Sequence, residues 1–407
     1  MRKLTALCLV LGLCLGLLSG CGQASAADLN EGIVKNELSS SADLKQSGGL
    51  ADFAAELLKA ADRSQGDPLV SPLSVIAALA LVQNGAEGET LQQLETALGL
   101  PAEQLNEYLL AWRAALPDTL KMANGIWFKE DPSLQVSQDF LQTNADYLGA
   151  AAHKAPFDES TVRQINSWVR ENTDGMIDSI LDRMPEDALM VLANALSFES
   201  GWAKTYQDSQ VRPGDFFTEG QGPVPAQLMY ETAHMPYLEL DNAAGFLKRY
   251  SVGSYAFLGL LPTEGIPMDD FLASLDGTEL AEAVATAQTL EVRTAIPRFE
   301  SDYSSELSHV LQSMGITRAF SDQAQFGPMA QHPQGLKIGS VLHKTAIRVD
   351  QKGTKAGAVT AVIMAPTAAA PGSKPEPKEV YLDRPFVYAI WDLQANLPVF
   401  LGVCTQP

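Results

Sequence analysis

Gly353-Thr354-Lys355-Ala356-Gly357-Ala358-Val359-Thr360-Ala361-Val362 is a run of small residues with one charge, set between a strand-like segment and a Pro-containing one. Side chains alternate across a strand, so Thr354, Ala356, Ala358, Thr360, Val362 and Met364 would share one face, small or apolar throughout. The other face would carry Lys355, Gly357, Val359, Ala361 and Ile363. Such a segment can stand exposed as a loop, and nothing in it forbids burial as a strand between two others. An Ala-rich linker has the same composition.

The residues that follow separate these readings. Val380-Tyr381-Leu382-Asp383-Arg384-Pro385-Phe386-Val387-Tyr388-Ala389-Ile390, with Leu397-Pro398-Val399-Phe400-Leu401-Gly402 behind it, resembles the C-terminal signature of the serpin family. Ser71-Pro72-Leu73-Ser74, Asn194-Ala195-Leu196-Ser197-Phe198 with Gly201-Trp202, and His343-Lys344 ahead of Gly353 occur in that family's order and approximate spacing. The resemblance implies an α+β fold: one large domain over 49–407, with N-terminal helices packed on a large, mainly antiparallel central sheet. Further sheets and an exposed reactive loop, with its hinge, at 351–379 complete it.

The N-terminus reads as an export signal. Arg2 and Lys3 precede an apolar run of fifteen residues, Leu4 to Leu18, and Leu18-Ser19-Gly20-Cys21 looks like a bacterial lipoprotein cleavage site. A membrane span needs about 20 apolar residues, whereas a basic start before a shorter run is the plan of a cleaved signal. Residues 1–20 are expected to be removed and Cys21 to carry lipid, giving a bacterial membrane lipoprotein exposed on the cell surface or to the periplasm. An ordinary export peptide with an incidental cysteine is the alternative. Residues 21–48, rich in Ser, Ala, Gly, Asp and Gln, read as a flexible tether. Cys8 and Cys14 leave with the signal, so only Cys404 remains beside Cys21 and no internal disulfide is expected.

The formal charge is −21, and loss of Arg2 and Lys3 makes it −23. Nucleic acid and anionic lipid surfaces are therefore disfavoured partners. His153, His234, His309, His332 and His343 are scattered without ligand spacing, and no P-loop, nucleophile elbow or dinucleotide fingerprint occurs. No metal, no cofactor and no catalysis are expected.

Ser71-Pro72 places a cap before a proline at the first helical position, predicting a helix to about residue 81. Apolar spacing predicts further helices at about 50–58, 88–98, 101–115, 137–147 and 160–173, and buried strands at 121–128 and 189–198. From about 215 the pattern is mainly strands: two within 246–261 and one over 288–299, with a helical region at 272–287 between them. A short helix at 305–314 and a long strand at 336–349 follow.

In inhibitory serpins a protease cleaves the loop, which inserts into the main sheet before the acyl-enzyme hydrolyses. Carried onto this chain, the hinge is Gly353, Thr354, Ala356, Gly357, Ala358 and Thr360. About fourteen residues on, the reactive bond falls at Thr367-Ala368, with Met364, Ala369 and Ala370 as alternatives, because about seven extra residues precede Pro385. Ser71, Ser74, Asn194 and His343 match a buried cluster where the sheet parts, and Trp202 the aromatic where insertion begins. Gln351 stands where the family usually has Glu, and Lys355 where an acidic residue is usual. Small residues around Thr367 suit elastase-like or subtilisin-like serine proteases, with cysteine proteases as a further target class. The resemblance thus implies a monomeric protease inhibitor, or alternatively a non-inhibitory binding or carrier serpin. Where some members have a basic helix, Glu103-Gln104-Leu105-Asn106-Glu107-Tyr108 is acidic, so no heparin-like cofactor is expected.

Overall fold

A computed structural model describes residues 26–45, 47, 49–64, 66–185, 188–332, 335–354 and 376–407. Strand β1 (Ala27–Asp28) is followed by α1 (Leu50–Ala60), β2 (Leu69–Val70), α2 (Pro72–Gln83), α3 (Gly88–Leu98) and α4 (Ala102–Ala114). Next come β3 (Leu120–Lys129), β4 (Gln135–Val136), α5 (Gln138–Thr143), β5 (Ala151–Ala155), α6 (Glu159–Asn172), β6 (Met190–Phe198) and β7 (Ser200–Gly201). The chain continues through β8 (Val211–Thr218), β9 (Gly222–Leu240), β10 (Ala243–Arg249), β11 (Tyr255–Pro262), α7 (Met268–Ser274), α8 (Gly277–Thr286), β12 (Gln288–Pro297) and β13 (Phe299–Glu306). It ends with α9 (Ser308–Ser313), β14 (Ala330–Gln331), β15 (Ser340–Val349), β16 (Gly353–Thr354), β17 (Lys378–Tyr381), β18 (Phe386–Asp392) and β19 (Leu397–Cys404).

Two sheets carry the fold. An eight-stranded one has the order β1-β5-β3-β6-β15-β16-β7 with β13 added on β15, and a nine-stranded one has β17-β12-β9-β10-β11-β18-β19-β2 with β8 on β9. Helix α2 is buried from Pro72 to Gln83, and a helix apolar on every side can only lie in a core. Strand β6 is buried at all nine positions. Met190, Leu192 and Leu196 join the main core, while Val191, Ala193 and Ala195 belong to a second cluster with Trp127 and with Ile165 and Val169 of α6. Alternation sorts the two sets, and cover on both faces explains the unbroken apolar reading of 189–198.

The helices expected at 88–98, 101–115 and 160–173 are α3, α4 and α6. That at 137–147 is α5 continued by a π-helical turn, Asn144–Leu148, which closes at Gly149 with φ 58°. The helix expected from 305 begins only at Ser308, because the residues up to Glu306 form β13, and the strand expected from 336 begins at Ser340. Glu306 fixes this corner. Its Oε1 accepts from Ser308 N (3.1 Å), Ser308 Oγ (2.5 Å), Ser340 Oγ (3.2 Å) and Val341 N (3.0 Å), tying the start of α9 to the foot of β15.

The free tether expected over 21–48 is not found for its described part. Ala27 and Asp28 pair with Lys154 and His153 on the outer edge of the eight-stranded sheet, and Leu29 N donates to Ala152 O at 2.8 Å. Ala26 N reaches Gln164 Oε1 on α6 at 3.1 Å. Asn36 donates to the Asp146 carboxylate through N and Nδ2 (2.8 and 2.7 Å), and Gln142 Nε2 donates to Val34 O at 2.9 Å. Leu29, Ile33 and Leu44 pack against the main core. An edge strand offers main-chain groups that any extended segment can pair with, so polar composition does not prevent docking. The expected signal at 1–20 and Cys21 lie outside the described residues.

Candidate functional site

The seam between β6 and β15 is closed at its lower end and open in the middle. The two strands pair in parallel through five rows, from Val191–Ser340 to Ala195–Lys344. Above that, 196–199 and 345–348 do not pair with each other. At the top β16 fills the seam: Gly353 faces Gly201, and Thr354 lies between Ser200 and Val349. The first two hinge residues are thus already a strand of the sheet.

Gly353 is required by close approach, since a Cβ there would lie 2.3 Å from Ser200 O and 2.5 Å from the Gly201 Cα. The preceding turn is held by Asp350, whose Oδ1 accepts from Lys352 N at 2.7 Å and whose N donates to Gly353 O at 2.9 Å. Thr354 is buried, its hydroxyl 2.5 Å from that of Tyr250. Trp202 clasps the turn from the side. Its Nε1 donates to Asp350 O (2.8 Å) and its N to Lys352 O (2.9 Å), while Tyr206 N donates to Gln351 O (3.0 Å). The indole stacks on Tyr250 with centroids 4.7 Å apart.

A buried ion pair supports this clasp. Lys248 bonds Glu231, which also meets Lys204 Nζ at 3.1 Å. The Lys248 ammonium lies 4.3 Å from the Tyr206 ring centroid and 5.5 Å from that of Trp202. Burial lowers the pKa of Lys248, with Glu231 opposing. Burial alone would raise Glu231, but Lys248 and Lys204 hold it below the usual carboxylate value. Sequence reasoning missed this pair; a lysine after Gly245-Phe246-Leu247 in a strand was the available signal.

At mid-seam, His343 and Asn194 sit side by side on β15 and β6. Ser71 N donates to His343 Nε2 at 3.1 Å, and Ser71 Oγ donates to Val399 O at 2.9 Å. His343 is therefore neutral at Nε2, and burial pushes its pKa down to about 4. Asn194 Nδ2 donates to Asn124 Oδ1, and Asn194 Oδ1 has no hydrogen-bond partner among the described residues. Ser74 is buried one turn along α2, with no side-chain bond to His343 or Asn194. Of the expected cluster, Ser71, His343 and Asn194 come together directly, Trp202 lies at the top, and Asn124 is an addition. Its signal was a lone amide in the buried run 123–128.

Ala356, Gly357, Ala358 and Thr360 of the hinge, and the reactive pair Thr367 and Ala368, lie outside the described residues. What the described part provides is a mechanical site: a seam with unpaired main chain, a seated leading residue and a polar cluster that can exchange partners where an apolar contact could not.

The comparisons agree with this geometry. The chain is similar to a serpin-like protein of Thermococcus kodakarensis, 28% identical over 366 residues that cover 87% of this chain and 84% of the relative. It is also similar to the solved structure of the thermophilic serpin tengpin in its native state, at 38% identity and a TM-score of 0.86 over 94% of this chain and 100% of that one. Against tengpin in the latent state the identity is 35% and the TM-score 0.76, over 90% and 99% of the two chains. A family model described as Serpin (serine protease inhibitor) matches residues 49–407. Because that match spans the seam, the hinge and the C-terminal strands in one stretch, the chain belongs to the serpin family.

Proposed function

We propose that the protein inhibits proteases by loop cleavage, strand insertion and covalent trapping. The observation that carries this reading is Thr354 seated between Ser200 and Val349 above unpaired rows of the seam. The attacking protease hydroxyl bonds to the Thr367 carbonyl carbon, the bond to Ala368 breaks, and the Ala368 nitrogen leaves as a protonated amine. The ester remains while the loop enters the seam. About a dozen new hydrogen bonds at roughly 1 kcal/mol each supply on the order of 10 kcal/mol, comparable to the stability of a whole domain.

The preferred targets are serine proteases with shallow primary pockets, elastase-like or subtilisin-like, with cysteine proteases as a second class. Around Thr367 the side chains are Ala368, Ala369 and Ala370, and Arg384 is the first arginine after the hinge. An Arg-requiring pocket would leave its buried acid unpaired. Incubation with an elastase, a subtilisin and a trypsin, followed by denaturing gels and mass mapping of the cut, tests this. Fastest trapping of trypsin overturns the preference. Cleavage without a stable complex, in a domain whose heat stability does not rise, overturns trapping and puts the protein with the non-inhibitory binding serpins.

The second part of the proposal is that inhibition takes place at a membrane surface, through lipid on Cys21. Acyl chains supply the affinity, since a domain this acidic has no electrostatic attraction to anionic lipid. Cys21→Ser should leave the membrane fraction; retention equal to wild type would refute the anchor.

A further inference from the structure

The docked N-terminal segment fixes where an anchor leaves the body. Ala27 pairs with Lys154, Lys154 with Phe128, and Phe128 with Met190, so these residues share one row of the eight-stranded sheet. Thr354 is level with Ser200, ten residues from Met190 along the same arm, a separation of about 33 Å at 3.3 Å per residue. The segment therefore emerges at the end of the sheet opposite the hinge. From Cys21 to Ala26 is five residues, at most about 17 Å of extended chain, whereas a domain of this size is roughly 55 Å across. A lipid on Cys21 cannot let the body turn over.

We propose that the end of the sheet formed by Ala27, Lys154, Phe128 and Met190 faces the lipid surface, that the hinge at Gly353 and Thr354 lies at the end away from it, and that trapping delivers the protease to the membrane side. The proposal rests on the anchoring and trapping readings above. Continuing the Thr354–Ser200 register brings position 364 level with Met190, with Thr367 three residues beyond. The inserted strand would lie four strand spacings from β1, about 19 Å. A protease of about 240 residues is roughly 45 Å wide, more than the reach of the anchor. The body must lift or tip to hold its captive, so anchored protein should trap more slowly than soluble protein, and a longer spacer should remove the difference.

Energy transfer to a headgroup acceptor decides this. Lipidated full-length chain in phosphatidylcholine vesicles is labelled at Glu130→Cys, exposed beside Ala155, or at Lys352→Cys, exposed in the turn ahead of Gly353; Cys404 is buried and stays unlabelled. Transfer several-fold stronger from position 130 is expected, and transfer from a labelled protease should rise to that level after trapping. A ten-residue Gly/Ser insert after Gln23 should bring the trapping rate to that of the Cys21→Ser protein. Equal transfer from the two positions, or stronger transfer from 352, overturns the orientation while leaving anchoring intact. Failure to bind vesicles overturns anchoring and the orientation with it. Vesicle binding without a stable protease complex overturns delivery, and the comparison of 130 with 352 still decides the orientation.

Discussion

The Thr354 hydroxyl lies 2.5 Å from the Tyr250 hydroxyl, with both side chains buried. A guanidinium at position 354 would have to enter that space without a countercharge, at a cost of several kcal/mol. Thr354→Arg should be expelled from the seam and cleaved as a substrate, raising the stoichiometry of inhibition at least tenfold. Tyr250→Phe removes one hydrogen bond, about 1 kcal/mol, and should trap within a few-fold of wild type. Titration of an elastase on denaturing gels reads both; unchanged stoichiometry for the arginine variant would falsify insertion.

The pair beneath Trp202 should show the asymmetry of buried charges. Glu231→Leu strands the Lys248 ammonium, and breaking such a pair costs roughly 3–5 kcal/mol. Replacing both members, as Glu231→Leu with Lys248→Met, should recover most of that loss. Denaturant unfolding of the two proteins checks this, and a double variant no better than the single one contradicts it.

His343 predicts a pH dependence. The unfolded imidazole takes up a proton below about 6.5, the folded one only below about 4. Between these values the unfolded chain binds more protons, so the contribution is complete above about pH 6.5, falls as the pH drops to about 4, and is flat below. Its full size is about 3 kcal/mol. His343→Gln keeps an acceptor for Ser71 N but does not titrate, so its unfolding free energy should fall less steeply over that range. Parallel profiles for the two proteins would contradict the assignment.

Asp146 holds the N-terminal segment through two bonds to Asn36. Asp146→Ala should speed hydrogen exchange in residues 29–36 by at least tenfold, with β6 and β18 unchanged. Equal protection in both proteins would mean the edge pairing suffices alone.

The sequence revealed elements wherever local chemistry and burial agreed. Pro72 at the first helical position marked a helix start, although the expected cap is not made, because the Ser71 hydroxyl bonds Val399 O instead; 189–198 read as a strand because both of its faces are covered. Strand β13 was missed because it alternates Phe299 and Tyr303 with Ser, Asp and Glu on its exposed positions, without a β-branched residue. Docking of 26–44 was illegible for another reason: main-chain pairing to β5 leaves no trace in side-chain pattern. Within the site, Ser71, Asn194 and His343 came from the family resemblance. The Lys248–Glu231 pair did not, since its members are seventeen residues apart on neighbouring strands and only folding brings them together.

The four hydrogen bonds on Glu306 fix the foot of β15 to β13 and α9. The top of the seam already holds a strand, since Thr354 sits between Ser200 and Val349, while the five rows from Val191–Ser340 to Ala195–Lys344 are shut. With the β15 side held, it is the β6 side that must move away, and each of those rows has to widen by one strand spacing of about 4.8 Å. Opening therefore runs as a crack, with each arriving residue wedging apart the row ahead of it, and a loop that stalls leaves the rows below it shut.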